Sequence, residues 1–184
     1  MISARVAAAS NISIGKSKVR FFCERPASLV TFAAKFHHVK HDVSRFKIMV
    51  YLTRVEHFNA AHKLSNPAWD AEKNREVFGK CANENWHGHN YELHLTVKGE
   101  PNSETGFVFN AKTLGTLIKD VIIEQADHKN LNIDVPFMKG KFTSAENFAI
   151  GIWNEMSPHV EGAGAQMHCV KLYETPKIYV EYYG

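Results

Sequence analysis

Long apolar runs are absent from this 184-residue chain: the longest, residues 48–52, has five residues, against the ~20 that a membrane-crossing helix needs. No membrane span, and no membrane partner, is expected. Cysteine is scarce. Cys23, Cys81 and Cys169 are an odd number without close pairs, which argues against a secreted disulfide framework and for a reducing compartment such as the cytoplasm. Internal repeats and low-complexity tracts are also missing, and the length points to one domain with room for an appendage. At 45% apolar residues the chain can fill a sizeable core, so wholesale disorder is not expected.

Charge divides the chain at Met49. Residues 1–48 carry nine Lys and Arg against Glu24 and Asp42, a net +7, so the overall +3 leaves −4 for residues 49–184. The basic quarter is rich in Ala, Ser and Phe and has neither sustained alternation nor a helical stripe. It reads as an extension. Its composition resembles that of an organelle transit peptide. A start of translation at Met49, with upstream or dispensable sequence before it, is the other reading. A nucleic-acid arm ranks last because basic and aromatic residues are not interleaved, and no nucleic-acid partner is expected.

From Met49 the pattern is regular. A first strand is expected over 50–60. In a second, Tyr91, Leu93, Leu95 and Val97 alternate with Glu92, His94, Thr96 and Lys98, the period-two signature of a half-buried strand. After Asn110, a suitable N-cap, Ala111, Leu114, Ile118, Val121 and Ile122 recur at helical spacing. Thr143 with Glu146 makes a capping box ahead of a second stripe through Phe148, Ala149, Ile152 and Met156. Two β-rich runs, 167–173 and 178–183, flank Glu174 to Lys177 as a hairpin. The order predicts an α+β fold, a four-stranded antiparallel sheet with both helices on one face.

His87 and His89 lie directly before the second strand, and residues two apart on an extended chain point to the same side. Both imidazoles can therefore face one ion, and His62, near the end of the first strand, comes alongside if the two strands pair. Three neutral imidazoles with an open fourth position are the usual shell of catalytic zinc. Cys81, six residues before His87, is open to two readings: a thiolate base or nucleophile near the ion, or a fourth ligand closing a structural site. Cys23 and Cys169 are expected to be inert. Asp127 and His128 follow the first helix, as an acid–base pair or as a histidine complementing the helix end. Glu174 suits either a bidentate anchor for an amidine-like edge or a solvated turn.

These segments together resemble the 6-pyruvoyl-tetrahydropterin synthase family, which also contains the 6-carboxytetrahydropterin synthases. The resemblance rests on Phe58-Asn59-Ala60-Ala61-His62, Gly79-Lys80-Cys81 through His89, Asp127-His128-Lys129-Asn130-Leu131, Ser144-Ala145-Glu146-Asn147 and Tyr173-Glu174-Thr175, in that order across residues 49–184. It implies the tunnelling fold, oligomerising into a barrel as a homohexamer, a dimer of trimers with active sites at subunit boundaries. It also implies Zn2+ on His62, His87 and His89, Cys81 as proton-abstracting base, Asp127 and His128 as its acid–base partners, and Glu174 as the pterin anchor.

The implied reaction converts 7,8-dihydroneopterin triphosphate to 6-pyruvoyl-tetrahydropterin with loss of triphosphate, a carbon–oxygen lyase step that uses no nicotinamide. Five residues, Ala82 to Trp86, separate the cysteine from His-Gly-His, as in pyruvoyl-forming members; the carboxy-forming branch usually has three. Trp86 departs from the small residue usual at its position, and residues 1–48 lie outside the family domain. Two alternatives fit the same residues: a 6-carboxytetrahydropterin synthase of queuosine biosynthesis, and a non-catalytic pterin- or zinc-binding module.

Overall fold

A computed structural model of the chain describes residues 48–184 in full and, before them, the backbone of two strands. Those strands, β1 (Ala8–Ile14) and β2 (Ser17–Cys23), pair antiparallel from Ala8 opposite Cys23 to Ile14 opposite Ser17. They belong to a unit separate from the one that begins at Val43. A hairpin was not expected there, because this stretch carries no alternating apolar pattern. The remaining expectations for residues 1–47 lie outside the described residues.

In the second unit, alternation builds the centre of a sheet. β4 (His87–Gly99) points Tyr91, Leu93, Leu95 and Val97 inward, each no more than 1% exposed. Fully burying a side chain of this size is worth about 1.5–3 kcal/mol, so a register slip of one residue would forfeit several such terms at once. β3 (Val50–His62) pairs antiparallel with β4 along its whole length, from Val50 opposite Gly99 to His62 opposite His87. On the other side, β6 (Gln166–Thr175) pairs with β4 and forms a hairpin with β7 (Ile178–Tyr182).

The sheet is not the expected four-stranded antiparallel one. It has five strands and is mixed: β5 (Lys129–Asn130) runs parallel to β3, Lys129 beside Ala60 and Asn130 beside Ala61, giving the order β5-β3-β4-β6-β7. The cause is local. His128 N–H donates to Asn59 C=O at 2.6 Å and Leu131 N–H to Ala61 C=O at 2.8 Å, which pins the chain to the edge of β3. Two residues are too short for a period to show.

Helices cover one face. α2 (Ala111–Ile118) starts at Asn110, whose side chain accepts from Lys112 and Thr113 N–H, and continues through a π turn, Lys119–Ile123, into α3 (Glu124–Ala126). α4 (Ala145–Gly162) buries Phe148, Ala149, Ile152, Met156 and Val160 against the sheet. Its cap is Ser144, accepting from Asn147 N–H, and not Thr143 as the capping-box pattern suggested. Thr143 is 1% exposed, and its hydroxyl donates to Lys63 C=O at 3.1 Å. Engaged there, it cannot cap the helix. An unexpected short helix, α1 (Ala71–Phe78), begins at Asp70, which accepts from Lys73 N–H.

Candidate metal centre and its cleft

The histidines sit on the strands themselves, not before them. Because His62 stands opposite His87 and Ala60 opposite His89, the end of the β3–β4 ladder sets three imidazoles around one point. Their ligand atoms all lie within 4.8 Å of one another. His62 is 1% exposed. Its Nδ1 lies 2.7 Å from Thr143 C=O; a carbonyl only accepts, so Nδ1 carries the proton and Nε2 presents its lone pair to the other two rings. Metal-ligating histidines are oriented in this way.

Several features of the trio fit a metal ion. His62 Nε2 and both ring nitrogens of His87 are buried without a hydrogen-bond partner, a cost that a protein seldom leaves uncompensated. Burial, the leading cause, holds all three histidines below the ordinary imidazole range, and the neighbouring rings push His87 and His89 the same way. Neutral imidazoles are what a metal binds. The opposing influences are the Thr143 carbonyl and then the Glu174 carboxylate at His62, and the Glu174 carboxylate at His89. Glu174 Oε1 lies 3.3 Å from His62 Nε2 and 3.6 Å from His89 Nε2, and its side chain is only 17% exposed. The residue lies in β6 and faces the site, so the solvated-turn alternative does not hold.

Cys81 reaches the same place by a different route. Gly79, at φ 55°, turns the chain out of α1 into a 3-10 turn, Gly79–Ala82, and Leu64 N–H donates to Cys81 C=O at 2.8 Å. Arg75, Lys80, Cys81, Asn83, His87 and His89 line a cleft of about 720 Å3. Among the described residues the donor set that closes on one point is the three histidines, without the Cys81 sulfur. Burial, and then the Glu174 charge, push the thiol up from its ordinary value. Cys169 is buried with its thiol also raised, as an inert packed side chain would be.

Asp127 and His128 pair with each other but stand elsewhere. His128 Nδ1 is 2.9 Å from Asp127 Oδ2, and Asp127 Oδ1 accepts from Asn59 N–H at 2.8 Å. The Asn59 bond, with help from His128, holds the Asp127 carboxyl below its ordinary range. His128 takes φ 56°, a left-handed backbone uncommon outside glycine, and opens onto a second cleft of about 480 Å3 shared with Asn59, Gly88, His89 and Asn130. The lining of the Cys81 cleft does not include the pair.

Trp86, before His87, also takes a left-handed backbone, φ 59°. Its ring lies 5.0 Å from the Lys63 ammonium, and it lines neither cleft. Sequence reasoning missed Thr143 as the partner of His62. A backbone carbonyl leaves no trace in residue type, so only the fold reveals it.

An α+β domain whose strand ends gather three histidines able to hold a metal ion, beside a cysteine-bearing cleft, is the class that fold and site define. The sequence profile of 6-pyruvoyl tetrahydropterin synthase matches residues 51–184. The 6-pyruvoyl tetrahydrobiopterin synthase of Poecilia reticulata is 39% identical over 134 residues, 73% of this chain and 90% of the relative. That of Drosophila melanogaster is 39% identical over 136 residues, 74% and 80% of the two chains. The structure of Caenorhabditis elegans 6-pyruvoyl tetrahydropterin synthase superposes with a TM-score of 0.70 at 34% identity, covering 74% of this chain and 96% of that one. The chain belongs to the 6-pyruvoyl tetrahydropterin synthase family.

Proposed function

We propose that this chain is a zinc-dependent carbon–oxygen lyase that converts 7,8-dihydroneopterin triphosphate to 6-pyruvoyl-tetrahydropterin, with residues 49–184 as the catalytic domain. The observation that carries the reading is the division of labour at the β3–β4 end. Three imidazoles converge on one point, while the Cys81 thiol shares their cleft without joining the donor set. His62, His87 and His89 would hold the ion, and bound zinc would polarise the substrate's side-chain oxygens and acidify the adjacent carbon-bound proton.

Cys81 takes that proton. A proton is returned to the ring with the help of Asp127 and His128, so the dihydropterin gains the electrons that the side chain loses. No external oxidant or reductant enters. The bond from the side chain to the triphosphate oxygen breaks, and its electron pair leaves with the phosphate. Glu174 accepts hydrogen bonds from the amino edge of the pterin and so fixes the ring relative to Cys81.

Because the acid–base pair opens away from the Cys81 cleft within one chain, a second copy supplies it. The working site we propose therefore lies at a subunit boundary of a homohexamer, a dimer of trimers.

Two variants test the reading together. His87→Ala should lose most of its zinc, whereas Cys81→Ala should keep zinc and lose about 100-fold or more in turnover, the contribution of a well-placed base. Zinc lost along with the cysteine would make Cys81 a ligand and overturn the assignment.

A further inference from the structure

We propose that Arg75 and Lys80 form a polyphosphate subsite that takes the triphosphate of the substrate at the mouth of the Cys81 cleft. The inference rests on the pterin triphosphate reading above and deepens it. Among the described residues that line this cleft, Arg75 and Lys80 are the fixed charges, both positive, and none is a carboxylate. That runs against the composition of residues 49–184, which carry a net −4.

Among the described residues the two cations are also unspent. Arg54, Lys73 and Lys171 pair with Glu56, Glu76 and Glu181, while Arg75 and Lys80 make no ion pair among the described residues. Two like charges left beside one concave surface have no structural use that the fold reveals. A strongly anionic ligand supplies one.

Their position is built rather than incidental. Arg75 lies in the last turn of α1, and its carbonyl accepts from Gly79 N–H. The left-handed Gly79 then delivers Lys80 and Cys81 to the cleft, and the Leu64-to-Cys81 backbone bond ties that segment to the chain leaving β3. Seven residues, Arg75 to Cys81, thus carry both cations and the thiol on one fixed piece of chain. The guanidinium offers a planar fork that matches two phosphate oxygens, and the ammonium a compact charge that follows a flexible chain. A substrate held at its phosphate end by this pair has its side chain laid along the cleft towards Cys81 and the histidines, so remote binding energy is converted into alignment.

The test is calorimetric titration of zinc-loaded, full-length protein with inorganic tripolyphosphate, for the natural sequence and for Arg75→Ala/Lys80→Ala. Zinc content is measured on the same samples, to separate anion binding from stripping of the ion. The natural protein should bind the anion, more weakly as salt rises, and the double variant should bind it about tenfold or more weakly, a change of ~1.4 kcal/mol or more. KM for dihydroneopterin triphosphate should rise in parallel. Arg75→Gln/Lys80→Gln, which keeps most of the side-chain length, should behave the same way and guards against a folding defect in the first variant. Equal affinity in natural and variant proteins, or no binding by the natural protein, overturns the subsite. Loss of tripolyphosphate binding in both variants, from a protein that does not turn over the pterin triphosphate, would leave the anion subsite standing and remove the reaction instead.

Discussion

At the scale of single residues, the site depends on how a few polar atoms are shared out. His62 gives its Nδ1 proton to the Thr143 carbonyl and so has one nitrogen left for a ligand. Asp127 shows the same logic for a carboxylate. One oxygen accepts from the Asn59 backbone and the other faces His128, and the carboxyl is held below its ordinary 3.8. A carboxyl with a depressed pKa in the folded state contributes stability above the unfolded value, and that contribution is lost as pH falls through the folded value. Asp127→Asn should therefore be less stable than the natural protein at pH 6. The difference should shrink below about pH 4 and vanish once both states are protonated. It should amount to only a few tenths of a kcal/mol, because the side chain is 35% exposed and screened. Denaturant midpoints of the two proteins across pH 3–7 check this; a difference that grew towards acid pH would have the wrong sign.

At the scale of elements, the cleft owes its wall to α1, and α1 owes its place to Asn74. This buried side chain accepts from Asn66 N–H at 2.6 Å and donates to the carbonyls of Asn66, Trp69 and Asp70. Asn74→Ala removes all four of these bonds and leaves the Asn66 N–H without its acceptor, which should cost about 2 kcal/mol. For a chain of this size that lowers the melting temperature by roughly 4–8 °C, measurable by calorimetry. Neither α1 nor its anchor was legible in the sequence: residues 71–78 carry little apolar stripe, and a lone Asn is an ordinary loop residue. The β4 alternation, the Asn110 cap and the spacing of His87 and His89 were legible, because each is a period or a residue type that acts on its own neighbours. Two features failed for a common reason. β5 is held by backbone bonds from Leu131 and His128 to β3, and the Thr143 hydroxyl is drawn to Lys63 C=O, so long-range partners decided what local pattern could not. Cys81, Glu174 and the histidines could be named from motif order, but their convergence required the pairing of β3 with β4.

At the scale of the whole molecule, the sheet has two edges and one face that no helix of the described residues covers. β5 covers only Ala60 and Ala61 of β3, and β7 presents Ile178 and Tyr179, each at least half exposed. Exposed, β-prone edges invite pairing, and closing several sheets into one barrel removes them. A chain beginning at Met49 should accordingly form a closed oligomer and turn over at the full-length rate, since no proposed site residue precedes it. Light scattering and a rate assay on that chain check both points; a fully active monomer would contradict the shared site. Mixing Cys81→Ala with His128→Ala subunits should restore part of the activity, because each variant supplies what the other lacks at a boundary between chains. No rescue after verified subunit exchange would place both residues in the service of one chain.

The central claim is the reaction itself, and its most direct test is to incubate zinc-loaded protein with 7,8-dihydroneopterin triphosphate and identify the pterin and the released fragment by mass spectrometry. The account predicts 6-pyruvoyl-tetrahydropterin and inorganic triphosphate in equal amounts, with no added oxidant, reductant or nicotinamide. A 6-carboxytetrahydropterin product, or unchanged substrate with a fully metal-loaded protein, would contradict it.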